Sequence, residues 1–186
     1  MDRLFHIVNG CYKHDRRSQR SFYERYYRYA LRISTRYMDS YEEAAQLTYD
    51  TFLDIFRNFS RFKQVDKIKL DIHLTGWIKT KMIESIVHDL KAGIDSRQPH
   101  HLPDPFRSDR HPLFPETPAL YGELIATIRE LPPVLRVVFN LHVIDRYPPI
   151  EIANILGISL ETTVSYIKIS RQLCINPFLT SKNTGR

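Results

Sequence analysis

Residues 151–170, "EIANILGISLETTVSYIKIS", form two apolar-patterned segments that break at Gly157. Glycine readily adopts the left-handed backbone conformation that ends many helices. Ser159 is a favoured residue type for capping the start of the next helix. The stretch therefore predicts a helix over 149–156, a tight turn, and a second helix over 160–173.

Two interpretations fit this helix pair: a helix-turn-helix that reads DNA, and a helical hairpin inside a core. Small Ala153 would allow the two helices to cross closely. Hydroxyl and basic groups on the outer side of the second helix favour DNA, because they can contact phosphates and base edges. Residues 160–173 hold only two basic side chains and one acid, so this unit alone should bind weakly. The exposed candidates are Thr162, Ser165, Tyr166, Lys168 and Arg171, beside Glu161.

The rest of the chain also has helical periodicity. Apolar residues recur every three or four positions within 19–38, 41–60 and 71–91, as in helices that pack one face into a core. Ser40 and Glu43 have capping-box spacing at the start of the second of these segments. Two further helices are predicted over 119–130 and 133–145. No segment of any length has the period of a strand.

The segment 92–118 contains six of the eleven prolines and little apolar periodicity. Proline removes a backbone donor and is excluded from helix interiors, so this segment is interpreted as an extended linker. The predicted fold is all-α, with two small helical domains at 1–91 and 119–174. The second domain contains the helix-turn-helix, and 175–186 is expected to be a frayed tail.

Composition narrows the classes of function. The chain has 186 residues, 42% of them hydrophobic, and neither a membrane-length apolar run nor a signal-peptide pattern. Two cysteines, Cys11 and Cys174, cannot build a disulfide framework, which favours a reducing cytoplasm. No cluster of side chains has catalytic spacing, so neither an enzyme nor a cofactor is expected. Metal binding is the weaker interpretation of the Cys11–His14 spacing and of the linker histidines His100, His101 and His111.

The net charge of +6 permits a polyanionic partner and is unevenly distributed. Residues 1–40 carry nine Lys and Arg against four Asp and Glu, whereas residues 41–91 carry eight of each. The basic excess therefore lies mostly at the N-terminal end of the chain, away from the predicted helix-turn-helix.

Four stretches in this order resemble the extracytoplasmic-function (ECF) sigma factors of bacterial RNA polymerase, over about residues 8–174. "GCYKHDRRSQRSFYERYYRYALRISTRYMDSYEEAA" resembles the opening of their polymerase-binding domain, and "TFLDIFRNFSRFK" and "GWIKTKMIESIVHDLK" resemble its next two helices. "LPPVLRVVFNLHVIDRYPPIEIANILGISLETTVSYIKISRQL" resembles their promoter-reading domain. The N-terminal stretch is most similar to Bacteroidetes members.

The resemblance implies a set of partners and site residues. The first domain would dock on the β′ clamp helices of core RNA polymerase and open the downstream promoter element, and the second would meet the β flap and read the upstream element. An anti-sigma factor commonly holds such proteins, although no feature of this sequence identifies one. The implied docking residues are Gln46, Tyr49, Asp50 and Leu53, and the implied downstream-element residues are Trp77, Lys79, Lys81, Glu84 and Lys91.

The sequence departs from the family pattern at several of these positions. An acidic pair and a glutamine of the docking helix are replaced here by Ala45, Gln46 and Tyr49, and an asparagine of the next helix is replaced by Glu84. Unlike an amide, a carboxylate only accepts hydrogen bonds, and it repels phosphate. Two hypotheses follow: a working but divergent sigma factor, and a degenerate sigma-like regulator that binds polymerase or a partner without initiating transcription alone. Further departures lie at Lys81, Lys91-Ala92, Glu161, Val164 and Ile169.

Overall fold

The structure, a computed structural model, describes residues 2–62, 68–92 and 119–181. It divides the chain into two compact units, Met1–His111 and Pro112–Arg186. Within the described ranges both units are helical and no strand is present, which confirms the predicted all-α class. The expected linker lies, from residue 93 onward, outside the described residues.

Unit 1 packs three helices and a short turn around α2, which contacts every other helix of the unit. Two successive turns of α2 each insert two aromatic rings into the core, because Phe22, Tyr23, Tyr26 and Tyr27 are all buried. The Phe22 ring contacts the rings of Phe52, Phe56 and Phe59. The elements are α1 (Asp2–Tyr12), α2 (Arg16–Ser34), α3 (Tyr41–Arg57), a 3-10 turn (Phe59–Arg61) and α4 (Leu70–Ala92).

Polar groups fix the register of α2 against its neighbours. The Ser34 hydroxyl lies 2.7 Å from the Thr48 hydroxyl and donates to the Ala44 carbonyl at 3.0 Å, so α2 and α3 are joined by a buried, satisfied pair. On the other side, the Tyr26 hydroxyl donates to Asp71 of α4 at 2.6 Å. Burial, followed by this hydrogen bond, raises the pKa of Tyr26 well above its usual range. The predicted capping pair is also present, since Ser40 accepts from the Glu43 amide at 3.1 Å.

Helix α1 was not predicted from the sequence, yet it is a full part of unit 1. Val8 and Cys11 are completely buried where α1 packs on α2. The helix ends in a left-handed residue, His14 (φ 56°), and the Asp15 amide donates back to the Gly10 carbonyl at 2.9 Å. A Cβ on Gly10 would lie 1.9 Å from Oγ and 2.4 Å from Cβ of Ser18, so only glycine permits this approach of the two helices.

Unit 2 matches the predicted helices closely. Its core includes Ile128, Leu131, Phe139 and Cys174, with Ile152 and Ala153 buried where α7 joins the unit. The last helix was predicted to end at residue 173, before a frayed tail, but it continues to Ser181. The elements are α5 (Ala119–Arg129), α6 (Pro133–Phe139) extended by a π-helical turn (Asn140–Ile144), α7 (Pro149–Leu156) and α8 (Leu160–Ser181).

A buried arginine caps the C-terminal end of α5. The side chain of Arg136 is 4% exposed, and its guanidinium donates to the carbonyls of Arg129 at 2.6 Å and Leu131 at 3.1 Å. These carbonyls lie where a helix end leaves acceptors without intrahelical donors. A cation at a helix C-terminus also interacts favourably with the helix dipole. Arg136 therefore ties α6 to the end of α5.

Candidate nucleic-acid and partner interfaces

The turn between α7 and α8 has the geometry predicted for it. Gly157 is left-handed (φ 72°, ψ 34°), and its amide and that of Ile158 donate to the Ala153 carbonyl at 2.8 and 3.1 Å. Ser159 Oγ then accepts from the Thr162 amide at 3.0 Å, which starts α8. Ala153 and Ile167 are both buried where these helices pack. The two helices therefore form a helix-turn-helix with a fixed turn, and one side of α8 faces away from the core.

The five upstream candidates on α8 do not share a single face. Ser165, Lys168 and Arg171 are exposed and follow one another at three-residue intervals. Thr162 precedes Ser165 in this three-residue series but is half-buried, as is Tyr166, and the Thr162 hydroxyl is already engaged with Ser159 Oγ at 2.8 Å. The outer side of α8 thus offers one hydroxyl, two cations and the exposed carboxylate of Glu161 to a ligand, beside the exposed apolar residues Leu160, Val164, Ile169 and Leu173.

Three of the four docking candidates on α3 share an exposed strip, and one does not. Gln46, Asp50 and Leu53 recur at helical spacing, and Gln46 Nε2 donates to Asp50 Oδ2 at 3.1 Å. Tyr49 is only 6% exposed and lies among the buried residues of α3, so its expected place on the docking surface is wrong. One position along a helix turns the side chain by about 100°, which moves residue 49 from the strip into the core.

The downstream-element candidates on α4 also fail to share one face of their helix. Lys79 and Lys81 are two residues apart and so point about 200° apart around the helix, which excludes a common strand-facing surface. Lys81, by contrast, shares a face with Glu84, and its Nζ lies 2.7 Å from Glu84 Oε2. The Lys81 side chain is 17% exposed and that of Glu84 is 56% exposed. The Lys81 ammonium group is therefore paired with Glu84, and it neutralises the Glu84 carboxylate locally.

This ion pair faces α3 across a groove of about 520 Å³. The groove places the docking candidate Asp50 and the downstream candidates Lys81 and Glu84 in one lining, which the sequence did not predict. Four carboxylates against one lysine make the wall acidic. It therefore suits a basic partner better than a phosphate backbone. The lining residues are Leu47, Asp50, Thr51, Asp54, Lys81, Glu84, Ser85, His88 and Asp89.

Trp77 is half-buried on α4 and packs on aromatic rings of the preceding turn. Its ring centroid lies 5.5 Å from that of Phe59 and 5.1 Å from that of Phe62. Lys91 is exposed in the last turn of α4. Trp77 thus has one side in an aromatic cluster, and the structure does not bring it together with Lys79.

A basic face on α2 was noticed in the sequence only as an excess of charge. Arg17, Arg28 and Arg32 are exposed and fall within a narrow band along the helix. Within the described residues, Arg28 and Arg32 form no ion pair, whereas Arg20 is paired with Glu24 and Arg25 with Asp71. The arginine spacing along a helix was the signal that could have identified this face.

In the part of the chain that the structure describes, no group of three or more His, Cys, Asp or Glu side chains could hold a metal ion. No helix there is both long and apolar enough to cross a membrane. Both cysteines are free thiols with buried side chains. Burial raises the pKa of Cys11 to about 12 and that of Cys174 to about 11, so both stay protonated at neutral pH.

Comparison with known protein families gives one match in each structural unit. Residues 22–88 match the family model for Sigma-70 region 2, and residues 121–174 match the model for Sigma-70, region 4. The first match covers α3 and most of α2 and α4, and the second covers α6, α7 and most of α5 and α8. No curated protein sequence matches the chain.

Proposed function

The chain carries regions 2 and 4 of the sigma-70 factors in one polypeptide, and we propose that it is an extracytoplasmic-function sigma factor. In this role it binds core RNA polymerase and directs initiation at specific promoters. The observation that carries the proposal is the order of the two matches, with each region in its own helical unit and a helix-turn-helix in the second. A cytoplasmic location and the absence of enzymatic activity are parts of the same proposal, as is a similarity to Bacteroidetes members.

Polymerase docking is assigned to the α3 strip of Gln46, Asp50 and Leu53 and to the acidic groove beside it. The groove complements basic side chains on a partner, and Leu53 adds an apolar contact at the edge of the strip. Asp50→Asn should weaken binding to core polymerase by about tenfold or more, as expected when one partner of an interfacial charge pair is lost. Glu24→Gln changes the net charge equally at an exposed position of α2, away from the strip, and serves as the matched control.

Upstream-element recognition is assigned to the side of α8 that carries Ser165, Lys168 and Arg171. Arg171→Ala or Lys168→Ala should weaken binding to all DNA sequences and reduce the salt slope by about one counterion each. Gln172→Ala removes a neutral side chain from the same side of α8, so it should leave the salt slope unchanged and separates the loss of a cation from the loss of a contact. Equal slopes for the wild type and both basic variants would exclude this side of α8 as the reader.

A degenerate regulator that binds polymerase without initiating transcription is the second candidate. It is favoured by the Lys81–Glu84 pair, which withdraws one cation from the strand that must be held open. The deciding experiment is a pull-down with core polymerase followed by run-off transcription on genomic DNA. Binding with discrete transcripts supports a sigma factor. Binding without transcripts supports the regulator. Failure to bind excludes the sigma factor and leaves only a regulator that binds another partner protein.

A further inference from the structure

Trp77 is held in place by residues outside its own helix. Its ring packs edge-on against Phe59 (5.5 Å, 87°) and at a tilt against Phe62 (5.1 Å, 43°). Phe59 and Phe62 are 1% and 6% exposed, and they flank the 3-10 turn that follows α3. Because edge-to-face contacts depend on the mutual angle of the rings, the position of this turn determines the orientation of the indole.

The same turn is held on another side by α1. The Tyr12 ring packs edge-to-face on Phe59 (5.2 Å, 88°), and the Tyr12 hydroxyl donates to the Phe62 carbonyl. Burial raises the pKa of Tyr12, so the hydroxyl retains the proton that it donates. Helix α1 is itself anchored by Val8 and Cys11, and it lies outside residues 22–88, which match the region 2 model.

We propose that Tyr12 is a positioning residue for Trp77: it fixes the 3-10 turn and, through Phe59 and Phe62, the exposed side of the indole. The consequence for activity rests on the proposed function, in which Trp77 meets the opened downstream element and offers a ring on which a base can stack. Tyr12 touches neither DNA nor polymerase in this scheme. Its effect is to keep Trp77 in one orientation before DNA arrives, so that the indole need not be ordered on binding.

The first test uses the free full-length protein and is independent of transcription. Trp77 is the only tryptophan in the chain, so fluorescence excited selectively at tryptophan, and not at the eleven tyrosines, reports on it alone. Tyr12→Phe keeps the ring and removes the hydroxyl, and loss of one such hydrogen bond should shift the turn toward displaced states by about fivefold. Acrylamide quenching should rise and tryptophan anisotropy should fall, at temperatures where far-UV circular dichroism is unchanged.

Tyr29→Phe is the matched control. The Tyr29 hydroxyl also donates to a backbone carbonyl, that of Thr75 on α4 at 3.2 Å, and Tyr29 is likewise half-buried. Its removal should leave quenching and anisotropy at the wild-type values. If Tyr12→Phe gives wild-type fluorescence, or if Tyr29→Phe changes it equally, Tyr12 does not position Trp77 and the proposal is overturned. Tyr12→Leu, which also removes the ring contact, should produce a larger change than Tyr12→Phe.

The second test measures polymerase affinity and promoter opening separately, with holoenzyme on a promoter identified by run-off transcription. Tyr12→Phe should lower permanganate-detected opening by up to about fivefold while polymerase affinity stays at the wild-type value. In a Trp77→Leu background, Tyr12→Phe should have no further effect on opening, because its action passes through the indole. An additive loss would overturn the proposal. Changed fluorescence, with normal opening by both Tyr12→Phe and Trp77→Leu, would instead refute the assigned role of Trp77 in opening.

Discussion

Replacement of Gly10 by alanine tests whether α1 packs as closely on α2 as the structure shows. Helix propensity alone predicts a gain, since alanine is about 1 kcal/mol better than glycine inside a helix. The structure predicts the opposite sign. A Cβ at position 10 would lie 2.4 Å from Ser18 Cβ, which is fixed to the α2 backbone and cannot rotate away.

The expected loss of stability depends on which atoms must move to make room for the new Cβ. Overpacking of this kind typically costs about 1–3 kcal/mol, and a clash with an immobile carbon belongs at the upper end of that range. After subtraction of the propensity gain, the expected loss is about 2 kcal/mol. For a unit of this size, that loss lowers the unfolding midpoint by roughly 8–16 °C.

The assay is thermal or urea unfolding of the full chain followed by Trp77 fluorescence, which reports unit 1 alone because the chain has one tryptophan. Ser18→Gly removes the obstructing atoms, so the double variant Gly10→Ala/Ser18→Gly should recover most of the loss caused by Gly10→Ala. Because the propensity gain of about 1 kcal/mol remains in the Ser18→Gly background, the double-mutant cycle should give a coupling free energy of about 3 kcal/mol, the full cost of the clash. A stabilised Gly10→Ala, or a coupling free energy near zero, would refute the close packing of α1 on α2.

Three further outcomes are expected from other parts of the fold. Arg136→Met should leave the carbonyls of Arg129 and Leu131 without their donor and lower the stability of unit 2 by about 1–3 kcal/mol, measured by amide hydrogen exchange with mass spectrometry. Ser159→Ala should cost about 1 kcal/mol through loss of the α8 cap, whereas Ser159→Asp should cost less because aspartate is also a good cap. Iodoacetamide at pH 8 should modify neither Cys11 nor Cys174 in the native protein and both in urea. Since their native pKa values are raised above the ordinary thiol value of 9.0, the unfolded thiols ionise first, and stability should decline as the pH rises past 9.

Local signals predicted the helices that carry their own start and stop residues. Ser40 with Glu43 marks the first turn of α3, and Gly157 with Ser159 marks the turn before α8, so these boundaries agree with the structure. Helix α1 has no comparable signal, because its stability comes from Val8 and Cys11 packing on α2. The apolar spacing of Leu4, Val8 and Cys11 is nevertheless helical, and it was the sequence signal that could have identified α1.

The sequence predicted the residue types of the candidate sites, but not the side of the helix on which each side chain lies. The sequence indicates which side chains are basic or acidic on α4, yet a two-residue separation places Lys79 and Lys81 on different sides. Tyr49 was carried over from the family pattern as a docking residue, but the core of unit 1 requires an aromatic ring at that position. The acidic groove was not predictable at all, since it forms only where α3 and α4 pack against one another.

Binding of an anion to the basic face of α2 would be coupled to the folding stability of unit 1. Arg28 and Arg32 are one helical turn apart, well within the screening length of about 8 Å at physiological ionic strength, so salt does not remove their repulsion. Each like-charge pair of this spacing costs a helix about 0.2–0.5 kcal/mol. A polyanion along this face would cancel that cost, and an anion that binds only the folded unit would stabilise it by RT ln(1 + [L]/Kd). Unit 1 is then less stable without the anion than with it. Its free energy of unfolding would therefore report whether an anion is bound to this face.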